Sequence, residues 1–404
     1  MNITGLIVEY NPFHNGHLYH INKSKKVTKA DGIIAVISGN FTQRGIPSII
    51  DKWTKTKIAL LNGIDLVIEL PALYSLSSAE FFAQGAISLL QNLNVVNNIC
   101  FGSEIENINI LKEISEILIE EPEIFKETLK KNLNKGFSYP YCRNKALIYY
   151  FNNIKKSNIN LDTILNSPNN ILGIEYCKNI IKLGNNIVPF SIKRIGSNYN
   201  SLNFTKEFCS ASAIRNFLKY NNNLNEIKNY IPNNEFTIFN NLINSSYKFC
   251  FEDSMIPYIK YKYYNSINSL KNLPDISEGL DNRIYKFLDN CSSYENLIKS
   301  IKSKRYTFTR ISRILCQFFL GFDLYNTSEL RKFSCPYARI LGFNNTGATI
   351  LKNIKNKSQI PLYTKLPKEK NDILNLDIQS TKMYSLINNA INPNSDYLTS
   401  PIII

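Results

Sequence analysis

Residues 9–21 read EYNPFHNGHLYHI and hold His14, His17 and His20, the only three histidines in 404 residues. Just before them runs ITGLIVEY (3–10), short, apolar and rich in β-branched side chains, stopped by Asn11-Pro12. Such a run predicts a buried strand. HLYHINKSKKVTKA (17–30) has helical spacing. The histidines therefore sit in a strand–turn–helix, and three readings compete. A metal site would use three ring nitrogens, but Pro12 and Gly16 put a turn around the first two, and zinc would want a carboxylate or cysteine close by. A packing or capping role leaves the clustering unexplained. A nucleotide-binding turn accounts for the whole arrangement. Gly16 lets the backbone approach a phosphate, and the helix N-terminus supplies free N–H groups and a positive dipole end. His14 and His17 can face an α-phosphate from one side, where positioning and electrostatics promote attack without a protein nucleophile. His20, one turn on, reads as packing or support.

Working outward, the first 220 residues alternate. GIIAVISG, IDLVIELP, VVNNICFGSE and NIVPFSIKRIG read as four further strands. DKWTKTKIALLN, SSAEFFAQGAISLLQNL and PNNILGIEYCKNIIKLG read as helices between them. That rhythm predicts right-handed βαβ units and a parallel sheet. Residues 105–160 interrupt it with a charged helical pair, read as an insertion. Beyond residue 220 helical patterns dominate, with a small mixed unit around YARILGFNNTGATILKNIK. The expected fold is α/β: a Rossmann-like parallel-sheet domain over 1–220, then a mostly α-helical domain over 221–404.

The totals bound the partners. The chain has 47 Lys and Arg against 32 Asp and Glu, a formal net charge of +15. That excess favours a polyanionic partner, nucleic acid first, although Lys enrichment also follows from the Asn-, Ile- and Lys-rich composition. No apolar run reaches the ~18 residues of a membrane helix, so no membrane partner is expected. MNITGLIVEYNP lacks the basic start of a signal peptide. Eight scattered cysteines without a CxxC pair read as reduced thiols of a cytoplasmic protein.

A second phosphate motif supports the turn reading. Ser210-Ala211-Ser212-Ala213-Ile214-Arg215 stands at a helix entry after the last strand. Alone it would be an N-cap and an ordinary first turn. NPFHNGH resembles the HxGH motif of the nucleotidyltransferase superfamily, and SASAIR resembles that superfamily's S-x-[ST]-x-x-R loop, which holds the β- and γ-phosphates.

The resemblance narrows further. GLIVEYNPFHNGHLYHI, SGNFTQRG, DKWTK, DLVIELP, SAEFFAQGA, FGSE, PNNILGIEY, IKR, SASAIR, DISEGLDNRI, SKRYTFTRISR and YARILGF occur in order. Together they resemble the bacterial tRNA(Met) cytidine acetate ligase family, nearly end to end. The resemblance implies ATP and acetate as substrates, acetyl-adenylate as intermediate, and the wobble cytidine of elongator tRNA(Met) as acceptor, giving N4-acetylcytidine. It implies His14 and His17 as catalytic residues. It implies an ATP segment of Ile7, Val8, Glu9, Tyr10, Asn11, Pro12, Phe13, His14, Asn15, Gly16, His17, Leu18, Tyr19 and His20. Gly102, Asn169 (or its neighbour Asn170), Arg194, Ser210, Ser212 and Arg215 would join them. Mg²⁺ is expected to shield the phosphates, with ligands that the sequence does not identify.

The densest basic run of the second half, Lys302, Lys304, Arg305, Arg310 and Arg313, interleaves with Tyr306 and Phe308 and is expected to meet RNA phosphates; a solvated helix face is the plain alternative. Trp53, the only tryptophan, is either packing or a base-stacking platform. Gln43 and Arg44 stand in the loop after the second strand, at the end of the sheet where open α/β folds bind ligands. Two rival readings share some of these residues. A small-molecule nucleotidyltransferase would need no large basic second domain, and a non-catalytic RNA-binding protein would not need both phosphate motifs.

Overall fold

The computed structural model describes residues 1–156, 159–184, 186–194, 209–221, 223–245, 247–266, 269–277, 279–303 and 305–404. Lys304 lies outside the described residues. Five parallel strands follow the expected alternation: β1 (Ile3–Val8), β2 (Gly32–Ser38), β3 (Leu66–Leu70), β4 (Asn98–Ser103) and β5 (Val188–Lys193). Their order in the sheet is β5-β4-β1-β2-β3. β1 pairs with β2 from Ile3↔Gly32 to Val8↔Ile37, and with β4 at Thr4↔Asn98 and Gly5↔Ile99. The chain reverses direction across the sheet between β1 and β4, and that switch point is where such folds open a ligand crevice.

The central strands are mostly apolar because the sheet is covered on both faces. Alternate side chains go to opposite cores: Ile34, Val36, Leu66 and Ile68 to one, and Ile33, Ala35, Ile37 and Val67 to the other. The insertion holds three helices rather than a pair, Ile108–Glu120, Glu123–Leu133 and Tyr139–Asn153. Its third helix was hidden in the sequence by a run with little amphipathic contrast, YPYCRNKALIYYFNN.

The strand expected in a separate mixed unit instead joins the main sheet. β6 (Ala338–Phe343) pairs antiparallel with β3, and β7 (Leu362–Tyr363) and β8 (Ile402–Ile403) pair parallel with β6. A buried charge network fastens this return. Lys52 Nζ lies 2.8 Å from both Glu69 Oε1 and Asp396 Oδ1, and Arg339 reaches the same Asp396 oxygen at 2.8 Å. The DKWTK stretch thus has a structural task. Asp51 caps its helix by accepting from Trp53 N and Thr54 N, both at 3.0 Å. Trp53 is buried packing. Lys55 donates to Ser38 O, Gly39 O and Ser48 Oγ beneath the loop that follows β2.

Candidate active site

A cavity of about 530 Å³ opens at the carboxyl ends of β1, β4 and β5. The turn after β1 forms its floor. His14 is the N-cap of the helix Asn15–Thr28, and its Nδ1 accepts from Gly16 N at 3.0 Å. A side chain at position 16 would meet the His14 ring, with a Cβ only 2.7 Å from Cε1. Since Nδ1 is an acceptor, neutral His14 carries its proton on Nε2. His17 stacks on His14, and its Nδ1 is buried without a hydrogen-bond partner. His20 Nε2 lies 3.2 Å from Cys100 O, so Nε2 is the donor there.

All three imidazoles are held neutral. Burial, helped by the nearby Arg194 charge, lowers His14 to about 3. Burial lowers His20 to about 4, against the opposing effect of the Cys100 carbonyl. Burial, then His14, pushes His17 well below its ordinary value. Glu9, at the end of β1, accepts from Gln43 N at 2.6 Å, and burial raises its carboxyl above the usual range.

The opposite wall is the helix Ala211–Tyr220. Ser210 caps it, accepting from Ala213 N at 3.1 Å, so its N-terminal N–H groups face the cavity beside Ser212. Arg215 reaches back across the site, donating to Asn11 Oδ1 at 2.9 Å, to Pro47 O at 3.2 Å and to Glu252 Oε2 at 3.1 Å. The two phosphate motifs, about 200 residues apart in sequence, are thereby joined directly.

Of the residues singled out from sequence, Ile7, Val8, Glu9, Tyr10, Asn11, His14, Gly16, His17, Tyr19, His20, Gly102, Asn169, Arg194, Ser210, Ser212 and Arg215 line the cavity, as do Gln43 and Arg44. Pro12, Phe13, Asn15 and Leu18 do not. Phe13 is buried against Tyr10, and Asn15 donates to Asn229 O at 2.9 Å. The structure places Asn169 and Asn170 differently. Asn170 is fully buried, and its Oδ1 accepts from Ser103 Oγ at 2.7 Å and Glu104 N at 2.9 Å. Asn169 faces the cavity, with Oδ1 3.4 Å from Arg194. The Arg194 stem lies over Gly102.

The basic run divides. Arg310 donates to Asp275 O and Ser277 Oγ, both at 2.8 Å, and Arg313 is only 8% exposed. Arg310 thus fastens the Asp275 loop and Arg313 is buried, so neither forms an open face, whereas Lys302 and Arg305 are exposed. Sequence reasoning missed the far wall: Tyr220, Phe251, Glu252, Tyr294, Glu295 and Thr309 also line the cavity, with Phe308 beside them. Phe308 and Thr309 lay within a quoted motif, SKRYTFTRISR. Phe251 and Glu252 carry no local signal, because only tertiary folding brings them to the site.

The family described as HIGH Nucleotidyl Transferase matches residues 1–397. The tRNA(Met) cytidine acetate ligase of Clostridium kluyveri is 58% identical over 100% of this chain and 99% of its own length. That of Clostridium tetani is 53% identical over 100% of both. The crystal structure of Thermotoga maritima TmcAL bound with alpha-thio ATP superposes with a TM-score of 0.88 at 32% identity, covering 100% of this chain and 99% of the other.

Proposed function

The chain belongs to the tRNA(Met) cytidine acetate ligase family of HIGH nucleotidyl transferases, and from that premise we propose that it uses ATP and acetate to acetylate the wobble cytidine of elongator tRNA(Met). The observation that carries the reading is the Arg215–Asn11 bond, which holds the HxGH turn and the SASAIR helix on one cavity. A neutral imidazole N–H at His14, the helix N-terminus before Ser212 and the Arg194 and Arg215 charges surround the space a triphosphate would take. Donors fixed in advance stabilise charge that develops on the α-phosphoryl oxygens.

In the first step an acetate oxygen attacks the α-phosphorus and the bond to the β-phosphate bridge breaks, releasing pyrophosphate. The acetyl-adenylate formed is a mixed anhydride. In the second step the cytidine N4 attacks the acetyl carbonyl, AMP departs with the bonding pair, and the amine loses a proton. The amine is a weak nucleophile, its lone pair being conjugated into the ring, so proximity and exclusion of water matter most. Ile7, Phe82, Phe101, Leu172, Tyr176 and Ile192 supply an apolar lining against hydrolysis.

Among the described residues no three His, Cys, Asp or Glu side chains are grouped to hold a metal. Glu252 and Glu295 are carboxylates on the cavity wall. Mg²⁺ keeps much of its water and binds largely through substrate phosphates; when bound it would neutralise phosphate charge. The part of the chain after residue 220 supplies tRNA contacts, with Lys302 and Arg305 on its exposed surface. A tRNA substrate and eight free thiols agree with a reducing cytoplasm, and no helix among the described residues is long and apolar enough to cross a membrane.

The test incubates purified protein with ATP, Mg²⁺, isotopically labelled acetate and elongator tRNA(Met), followed by mass spectrometry of the nucleosides. Labelled N4-acetylcytidine is expected. Cleavage of ATP to AMP and pyrophosphate without label in the tRNA would point to another acid or acceptor. No cleavage by folded protein would favour RNA binding without catalysis.

A further inference from the structure

The insertion has a tip that the reaction described above does not use. Its helices Glu123–Leu133 and Tyr139–Asn153 meet at a turn through Gly136. The second helix packs inward through Cys142, Ala146, Leu147 and Phe151, so the apolar needs of the fold are already met. Yet Phe137, Tyr139 and Tyr141 remain 47%, 54% and 43% exposed. The Phe137 and Tyr141 rings touch, 4.8 Å between centroids, and Lys145 Nζ lies 5.6 Å from the Tyr141 ring. There is no Asp or Glu between Glu127 and Asp162, while Lys130, Lys131, Lys135, Arg143 and Lys145 all fall in that stretch. In space Arg143 pairs with Glu175 and Tyr139 has Glu80 and Glu121 near it, so the surface left open is Phe137 and Tyr141 with Lys145, and exposed rings beside a cation form a platform for bases and backbone of unpaired nucleic acid.

The tip touches the segment that leads to the cavity wall. Gly136 lies against the Arg305 guanidinium, and three residues along the chain Phe308 is 40% exposed on the cavity wall. We propose that the insertion tip, together with Arg305 and Phe308, seats the unpaired RNA bases that flank the acceptor cytidine, with Phe137 and Tyr141 as the stacking surfaces. This rests on the tRNA-ligase reading and extends it to a surface on the insertion. Bases of a structured loop are read by splaying them onto aromatic side chains, and a cytidine entering the cavity must draw its neighbours across the rim.

The experiment compares full-length wild type with Phe137→Ala/Tyr141→Ala and Phe137→Tyr/Tyr141→Phe. Each is assayed for acetylation of elongator tRNA(Met) and for acetate-dependent ATP–pyrophosphate exchange without RNA. The alanine pair should lower kcat/KM for tRNA roughly tenfold to a hundredfold and leave exchange unchanged; the aromatic swap should restore tRNA use. The salt dependence of tRNA binding should be unaltered in the alanine pair but shallower in Arg305→Ala, since only the latter removes a phosphate contact. Acetylation by the alanine pair at the wild-type rate overturns the proposal. So does loss of exchange, which would make the tip structural, or loss of a self-association seen in wild type, which would make it a subunit contact. Wild type that exchanges pyrophosphate yet modifies no tRNA would instead sink the underlying ligase reading.

Discussion

The His14 and His17 rings are stacked in the turn after β1, with centroids 3.8 Å apart and planes 29° from parallel. Two imidazolium ions could not share that spacing in a buried site. Burial and Arg194 hold His14 at about 3, and His17 lies well below its ordinary value. Both therefore act as neutral donors and acceptors at neutral pH. The kcat/KM for ATP, which reports groups of the free enzyme, should show no inflection near pH 6.5. A tenfold fall per unit as pH rises past 6.5 would show that a charged imidazole is required.

The same burial sets an acid limit on the fold. Unfolded histidines titrate near 6.5, whereas folded His14 and His20 titrate at about 3 and about 4. Below 6.5 the unfolded chain binds more protons, so stability falls as pH drops towards these folded values. Above 6.5 the histidines contribute no slope. The loss is up to ~1.4 kcal/mol per pH unit for each histidine. Urea midpoints should fall between pH 7 and 5.5, and His20→Gln should fall less steeply than wild type.

Arg215 uses one planar fork to reach Asn11, Pro47 and Glu252. A lysine carries the charge but not the fork. Arg215→Lys should reduce ATP–pyrophosphate exchange about tenfold to a hundredfold, the size expected for a charged hydrogen bond of about 1.5–3 kcal/mol. Exchange at the wild-type rate would mean that the two phosphate motifs are held together by other contacts.

Lys52 has no exposed side-chain surface and bridges Glu69 and Asp396. Removing one partner of a buried pair strands the others without solvent. Lys52→Met should cost about 3–5 kcal/mol in denaturant unfolding. A cost below 1 kcal/mol would show that Arg339 alone satisfies both carboxylates.

Gly45 has φ +75°, and a Cβ there would lie 2.3 Å from Arg313 N. Its carbonyl accepts from Tyr294 Oη at 3.2 Å and Ser312 Oγ at 3.0 Å. Alanine there meets both backbone strain and a clash, together about 2–4 kcal/mol. Gly45→Ala should lower both thermal stability and exchange, because the same loop presents Gln43 and Arg44 to the cavity. Unchanged stability would show that the loop can move away at no cost.

What was legible in the sequence was local. β1 to β4 announce themselves because burial on both faces leaves largely apolar runs, stopped by Pro12, Pro71 or glycine, and β5, half-exposed at the sheet edge, is marked by its place after the last helix of the alternation. The histidine turn and SASAIR are readable because the residues of each motif fall within one turn of chain. β6 was visible as a strand, but nothing in YARILGF names β3 as its neighbour, and β7 and β8 are two residues each, too short for periodicity. Arg310 and Arg313 looked like surface charge because Asp275, which draws them inward, is more than thirty residues away in sequence. Phe251, Glu252 and Tyr294 reach the cavity only through packing of the second half on the first.

The antiparallel junction of β3 with β6 bears on how the molecule is born. β3 leaves the ribosome long before its outer neighbour exists. At about 5–20 residues per second, synthesis leaves that edge unpaired for roughly ten seconds to a minute. An open edge of this kind invites pairing with other chains. Asp396, which completes the charge cluster beneath the sheet, and β8, which covers β6, come later still. The early strands are thus closed by residues made much later, and a nascent chain stalled before residue 338 would carry the histidine turn on an unfinished sheet.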